Sequence, residues 1–167
     1  MNPLLQKFNT KHNSAPFNEI KEEHYLPAFK ELIDISKKEI DAIAQNTEAA
    51  TFQNTIEALA YSGEQLDAVS SIFFNLNSAE TNDEIQKIAQ EVSPLLSEFS
   101  SQISQNEELF ARIKKVFDEK EKYSLNGEQE MLLNETYKGF VRNGALLNDE
   151  DKKKLEKINM DLSIKSL

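Results

Sequence analysis

Two histidines, His12 and His24, are the side chains of this sequence best suited to chemistry near neutral pH. A zinc peptidase motif of the form H-E-x-x-H needs two histidines one helical turn apart, with a glutamate between them as base. These two histidines lie too far apart to share a turn. Glu22 and Glu23 adjoin His24, but neighbouring residues of a helix point in different directions. We interpret them as a solvated helix start, and a metal cluster of these three residues is the alternative.

Other catalytic patterns are also missing from the sequence. It contains no cysteine, no glycine-rich phosphate loop and no G-x-S-x-G nucleophile motif. Carboxylate pairs such as Glu119 and Glu121 fall in a charged segment and are interpreted as solvent-facing. The sequence therefore predicts no catalytic, cofactor-binding or metal-ligating residue in this chain.

The charge and hydropathy of the chain disfavour some classes of binding partner. The chain of 167 residues carries 19 basic and 29 acidic side chains, a formal net charge of −10. This field disfavours nucleic acid and anionic membrane surfaces. No apolar run is long enough to span a bilayer, and the first residues lack the apolar centre of a signal peptide. We expect a cytoplasmic protein, or a periplasmic one if a signal peptide precedes this sequence.

Hydrophobic periodicity predicts an all-α fold, an antiparallel bundle of about six helices with an extended N-terminal arm. The arm covers residues 1–21, and the helical domain covers residues 22–167. Five apolar residues of the arm are expected to pack on the helices: Leu4, Leu5, Phe8, Phe17 and Ile20. The helices are predicted to follow Pro27, to run from Thr51 to Leu76, and to start at Thr81, Asn106, Asn126 and Asn148.

The second predicted helix is expected to be the central member of the bundle. Its apolar and small residues are spaced alternately by three and four: Ile56, Leu59, Gly63, Leu66, Ser70, Phe73 and Asn77. Gly63 in mid-helix would cost about 1 kcal/mol relative to alanine. We interpret it as a point where a neighbouring helix backbone approaches closely, with a hinge as the alternative.

Local signals mark the later helices. Thr81 and Glu84 have the spacing of a capping box. Pro94 lies inside the third helix, and we expect a kink there rather than a stop. Asn143-Gly144 predicts a left-handed cap at the end of the fifth helix.

The segment from Phe73 to Asp83 is rich in apolar and amide residues at the turn between the two longest helices. It is either a helix stop followed by the next cap, or a polar turn presented to a groove.

The sixth helix reaches Leu167 without Gly, Pro or a polar stop, which suggests truncation. Its stripe of Leu155, Ile158 and Leu162 is expected to leave an exposed apolar surface that includes Ile164 and Leu167. The alternative is that the stripe packs fully on the fifth helix.

Several segments resemble the peptidyl-dipeptidase (dipeptidyl carboxypeptidase) branch of the thimet oligopeptidase family of zinc metallopeptidases. The resemblance extends from Asn2 to Leu167, and the oligopeptidase A branch is a weaker match around residues 73–83. The segments are His24-Tyr25-Leu26-Pro27-Ala28-Phe29, Thr51-Phe52-Gln53-Asn54-Thr55-Ile56, Phe73-Phe74-Asn75-Leu76, Thr81-Asn82-Asp83, Glu91-Val92-Ser93-Pro94-Leu95 and Phe140-Val141-Arg142-Asn143-Gly144-Ala145.

This resemblance implies a longer protein with zinc held beyond Leu167 by an H-E-x-x-H helix and a downstream glutamate. Zinc-bound water would attack the peptide carbonyl while the motif glutamate takes its proton. The N-terminal helices would form one wall of a channel that admits short unstructured peptides, from which dipeptides are released at the C-terminus. No catalytic or metal residue of the family falls on this chain.

Two function classes follow. The chain is either the substrate-channel domain of a zinc metallopeptidase, with the rest of its own polypeptide as partner, or a free-standing helical protein-interaction module. In both cases we expect this chain alone to lack enzymatic activity and to need no cofactor, with zinc expected only in the longer protein.

Overall fold

A computed structural model describes residues 1–8 and 10–165, which form helices and no strand. The all-α fold with about six helices is confirmed. The π-helical turn, α2 and α3 lie where the second helix is predicted, and the other five predicted helices correspond to α1, α4, α5, α6 and α7. No helix in these ranges is both long and apolar enough to cross a membrane. The elements are α1 (Tyr25–Ala44), a π-helical turn (Phe52–Glu57), α2 (Ala58–Tyr61), α3 (Glu64–Ala79), α4 (Asp83–Ser104), α5 (Glu107–Asp118), α6 (Gly127–Arg142) and α7 (Asp149–Lys165), with 3₁₀ turns at Pro3–Leu5, Lys11–Asn13, Glu22–His24 and Lys120–Lys122.

Asparagine side chains begin three helices where the sequence predicts them. Oδ1 of Asn106 accepts the backbone N–H of Leu109 at 2.9 Å. Asn126 and Gln129 form a reciprocal capping box with distances of 2.9 and 3.0 Å. Oδ1 of Asn148 accepts the backbone N–H of Asp151 at 3.0 Å and so caps α7. Each cap satisfies backbone donors that a helix start leaves free.

The cap of α4 differs from the prediction by one residue. Asn82, not Thr81, accepts the N–H groups of Glu84 and Ile85, at 3.0 and 2.9 Å. The hydroxyl of Thr81 instead donates to Oδ1 of Asn77 at 3.4 Å. Asparagine is at least as good a cap as threonine, so the better of two adjacent candidates is used.

Two other local predictions are also tested. The helix α4 continues through Pro94 to Ser104, so the proline does not stop the helix, and the kink stays a prediction. Gly144 follows the end of α6 with a φ of 93°, in the left-handed region that favours glycine.

The prediction of one continuous helix through Gly63 is wrong. Ser62 and Gly63 interrupt it, and Gly63 has a φ of 75°. Its N–H donates to Oε2 of Glu39 at 2.8 Å. A Cβ at this position would lie 3.5 Å from Oγ of Ser36, an ordinary contact. The glycine is therefore needed for its left-handed backbone and not for a close helix crossing.

The helix α1 is the central member of the bundle, in place of the interrupted second helix. It supplies Phe29 and Leu32 to a first core, and Ile40 and Ile43 to a second. The two halves of the interrupted segment divide between these cores. The first core includes Leu66, Val69, Phe73, Ile85, Ile88 and Val92, and the second includes Phe52, Ile56, Leu109, Ile113, Val116 and Leu133.

The arm packs on the first core, with one exception. Leu4 is fully buried, and Nε2 of Gln65 donates to its carbonyl oxygen at 3.0 Å. Leu5, Phe8 and Ile20 are half-buried against the same core. Phe17 is 58% exposed, so the prediction that it packs on the helices is wrong. It lies in a turn at residues 17–19 and leaves most of its side chain exposed.

Candidate functional surfaces

The residues of the Glu22-Glu23-His24 segment are held apart by separate contacts. Nδ1 of His24 accepts the backbone N–H of Lys21 at 3.0 Å, as a cap. Oε1 of Glu22 accepts from Nδ2 of Asn82 at 2.6 Å, while Glu23 lies 3.8 Å from Nζ of Lys21. The three side chains do not converge on a common point, which argues against the metal-cluster alternative.

The remaining candidates for chemistry are also dispersed. His12 is exposed in a turn with a φ of 65°. Glu119 pairs with Lys122 at 3.1 Å on the surface. In residues 1–8 and 10–165, no three His, Cys, Asp or Glu side chains come together in a way that could hold a metal ion. The zinc implied by the resemblance therefore does not fit donors in the part of the chain described.

The turn between α3 and α4 lines a cleft of about 480 Å³ against the arm, called here the arm cleft. The hydrogen bond from Asn82 to Glu22 joins this turn to the 3₁₀ turn that follows the arm. The walls combine apolar and charged side chains, among them Phe17, Ile20, Lys21, Leu76, Glu80 and Ile85. The exposed ring of Phe17 is thus part of a concave surface.

Tyr25 lies at the base of the arm cleft, where its ring centroid is 4.9 Å from that of Phe73. Its hydroxyl is buried and has no hydrogen-bond partner among the residues described. Burial raises the pKa of this phenol, because the charged form would lose its hydration. The group is a buried polar atom without compensation.

The other side of the same turn carries a groove of about 290 Å³, called here the amide groove. Asn77, Thr81, Gln86 and Gln90 line it together with Ala89. Amide side chains both donate and accept hydrogen bonds without charge, which suits the alternating N–H and C=O groups of an extended peptide backbone. The helix stop and the following cap predicted for residues 73–83 are confirmed, and the presentation of this turn to a functional groove stays a prediction.

The less exposed residues of α7 are a mixture of polar and apolar side chains, with Leu155 and Met160 half-buried. The helix packs along α4, and its one buried residue among those described is Lys152. Nζ of Lys152 donates to Oε1 of Glu107 at 2.6 Å, at the start of α5. This hydrogen bond and the positive charge lower the pKa of Glu107. A lysine within a charged run gives no sequence signal of burial, and sequence analysis missed it.

The outer side of α7 carries apolar side chains. Ile158 is 60% exposed and Leu162 is 62% exposed, while Leu146 and Leu147 in the preceding loop are 64% and 40% exposed. We call these four residues the α7 apolar surface. Ile164 is 49% exposed, and Leu167 lies outside the described residues. The predicted exposure of Leu162 and Ile164 is confirmed.

Comparison with known proteins assigns the domain to a family. A family model described as "Neurolysin/Thimet oligopeptidase, N-terminal domain" matches residues 29–152. That range includes α1 from its second turn, most of the first core, the second core and the start of α7. The chain belongs to this family. Its place in the thimet oligopeptidase family agrees with the resemblance noted in the sequence.

The identities to individual relatives agree with the peptidyl-dipeptidase branch of the family, which the sequence of this domain resembles. It is 39% identical over 161 residues to the dipeptidyl carboxypeptidase of Escherichia coli (strain K12), covering 96% of this chain and 24% of the relative. Oligopeptidase A of Salmonella typhimurium is 26% identical over 162 residues, which is 97% of this chain and 23% of that protein. Thimet-like oligopeptidase of Dictyostelium discoideum is 31% identical over 149 residues, 87% of this chain and 20% of its own length. The domain thus spans about a quarter of such relatives or less.

Proposed function

We propose that this domain is the N-terminal, substrate-channel part of a zinc metallopeptidase that hydrolyses short unstructured peptides and releases dipeptides from their C-termini. The observation that carries the proposal is the 39% identity to a dipeptidyl carboxypeptidase across 96% of the chain, against 26% to an oligopeptidase A. The higher identity favours the first relative's printed activity over the second's.

In this proposal the domain binds extended peptides and excludes folded proteins, and it does not catalyse the cleavage. Its described residues bring no metal donors together, so no bond-breaking step is assigned to it. The amide groove offers uncharged donors and acceptors, which suit peptide backbones of varied sequence. A rigid helical wall of this kind would exclude folded proteins and leave room for extended chains.

The test is an activity assay on the product of the longer reading frame. N-acetylated pentapeptides are incubated with the purified protein, and the products are identified by mass spectrometry. We expect removal of the C-terminal dipeptide, and much slower cleavage when the C-terminus is amidated. The same assay on the 167-residue chain is the matched control, for which we expect no cleavage and no stoichiometric zinc after dialysis.

Three results would contradict the proposal. Cleavage at internal bonds, regardless of C-terminal amidation, would place the protein with the oligopeptidase A relatives. A longer product without any peptidase activity would favour the alternative, a helical protein-interaction module. One tight zinc ion per 167-residue chain would show that the metal site lies here after all.

A further inference from the structure

Both ends of the N-terminal arm are hydrogen-bonded to one residue, His24. At the end of the arm, the backbone N–H of Lys21 donates to Nδ1 of the imidazole at 3.0 Å. At its start, Nδ2 of Asn2 donates to the backbone carbonyl oxygen of His24 at 2.7 Å. The central helix α1 begins at the next residue, Tyr25. His24 therefore lies at the junction between the arm and the helix that supplies both cores.

The start of the arm contributes directly to the first core. Oδ1 of Asn2 accepts the backbone N–H of Leu4 at 3.0 Å, so one amide side chain joins this segment to His24. Leu4 is fully buried, and Nε2 of Gln65 donates to the carbonyl oxygens of Leu4 and Gln6 at 3.0 and 3.2 Å. The arm is thus attached by one buried side chain and a small set of hydrogen bonds, of which two involve His24.

The hydrogen bond at Nδ1 requires an uncharged imidazole. A neutral ring keeps one nitrogen as an acceptor, whereas a protonated ring carries an N–H on both nitrogens. Protonation of His24 would therefore set two N–H donors against each other where Lys21 now donates. It would also place a positive charge at the N-terminal end of α1, where the helix dipole disfavours cations. Both effects weaken the attachment of the arm.

Neighbouring charges do not offset this loss. The carboxylates of Glu22 and Glu23 adjoin His24, but Glu22 accepts from Nδ2 of Asn82 at 2.6 Å and Glu23 lies 3.8 Å from Nζ of Lys21. Carboxylates and lysines ordinarily keep their charge between about pH 5 and 8, the range in which imidazole changes its own. The titratable groups around this junction are Lys21, Glu22, Glu23, Tyr25, Glu80 and the amino group of Met1.

We propose that His24 is a pH-sensitive latch, which holds the arm on the first core while its imidazole is neutral and weakens that attachment as the pH falls from about 7.5 to about 5.5. The arm supplies Phe17, Ile20 and Lys21 to the arm cleft. Loosening of the arm therefore opens this cleft and admits water to Tyr25 at its base. The latch does not depend on the peptidase function proposed above.

Cysteine labelling measures the attachment of the arm, because the chain contains no cysteine of its own. The buried reporter is Leu4→Cys, which reacts with maleimide when the arm opens. Lys153→Cys is an exposed reference, whose rate corrects for the effect of pH on the thiol. Over the stated fall in pH, we expect the corrected rate at Leu4→Cys to rise about two- to tenfold, the change that loss of one hydrogen bond produces.

The two histidines of the chain provide matched variants. His24→Gln retains a side-chain acceptor at a position where glutamine completes a capping box, but it does not titrate, so the rise should be absent. His24→Ala has no acceptor, and its corrected rate should be high at both pH values. His12→Asn removes the other histidine, which is exposed and has a φ of 65°, a conformation that asparagine tolerates. This control should retain the full response.

Hydrogen exchange of the Lys21 amide, corrected for its intrinsic rate, measures the same bond without a substitution in the arm and replaces the labelling if Leu4→Cys detaches the arm by itself. A rise of equal size in His24→Gln, or no rise in the chain with both histidines, would overturn the proposal. A response lost only in His12→Asn would assign the effect to the other histidine. Circular dichroism should show the same helix content at both pH values, and a general loss of helix would contradict a local latch.

Discussion

Nη2 of Arg112 donates a hydrogen bond to Oδ1 of Asn54 at 3.0 Å, joining α5 to the π-helical turn. The same oxygen accepts the backbone N–H of Thr51 at 2.8 Å. Nη1 of the arginine donates to the carbonyl oxygens of Asn46 and Glu48, at 2.6 and 3.0 Å. One guanidinium thus holds the connection from α1 to the π-helical turn, along with its cap.

Arg112→Ala should destabilise the domain by at least about 2 kcal/mol, because a hydrogen bond from a charged group contributes about 1.5–3 kcal/mol. Arg112→Lys should recover only part of this, since a single ammonium cannot reproduce the fork of the guanidinium. Urea denaturation measures both losses. Lys115→Gln, at an exposed position of the same helix, is the control and should change stability little.

Tyr25→Phe should leave the stability of the domain unchanged or raise it by up to about 1 kcal/mol, because it removes a buried hydroxyl that lacks a partner. Tyr25→Ala should cost about 3–5 kcal/mol, as expected for loss of a large core side chain. Thermal and chemical denaturation check both values. A clear loss of stability in Tyr25→Phe would show that the hydroxyl forms a hydrogen bond that the present structure does not contain.

Helix starts were predictable from the sequence because capping is local. Asn106, Asn126 and Asn148 satisfy backbone donors within their own first turn, so their effect does not depend on the rest of the fold. Competition between two adjacent caps was harder to judge. Thr81 and Asn82 are both suitable, and the choice between them was wrong.

The elements that depend on distant contacts were not predictable in the same way. The apolar spacing continues across Gly63, although the backbone there is left-handed and hydrogen-bonded to Glu39. The burial of Lys152 depends on its pairing with Glu107 from another helix. Asn82 binds Glu22 in the lining of the arm cleft, a contact between residues far apart in sequence. None of these pairings has a local signature.

Gly63→Ala should destabilise the domain by about 1–2 kcal/mol, because a left-handed backbone brings a Cβ too close to the following carbonyl oxygen. Gly63→Asn should cost less, since asparagine tolerates this conformation. The matched control is Gly139→Ala in the interior of α6, where a Cβ would meet nothing within 4 Å. That substitution should stabilise by about 0.5–1 kcal/mol. Similar effects at the two glycines would contradict the role assigned to Gly63.

The pairing of Glu107 with Lys152 should make the attachment of α7 sensitive to acid. The hydrogen bond from Lys152 lowers the pKa of Glu107 in the folded state, so the unfolded state binds a proton more readily. The resulting stability is fully present above the unfolded pKa of glutamate, about 4.3, and is lost as the pH falls through the lower folded pKa.

Hydrogen exchange of the α7 amides as a function of pH measures this effect once intrinsic exchange rates are corrected for. We expect protection of α7 relative to α1 to decrease below about pH 4.3 in the unmodified chain. In Glu107→Gln this additional decrease should be absent, because the residue at 107 no longer titrates. Glu108→Gln is the control, since Glu108 is exposed at the next position of the same helix start and should leave the acid response intact. An equal acid response in the Glu107→Gln variant would show that another group controls the docking of α7.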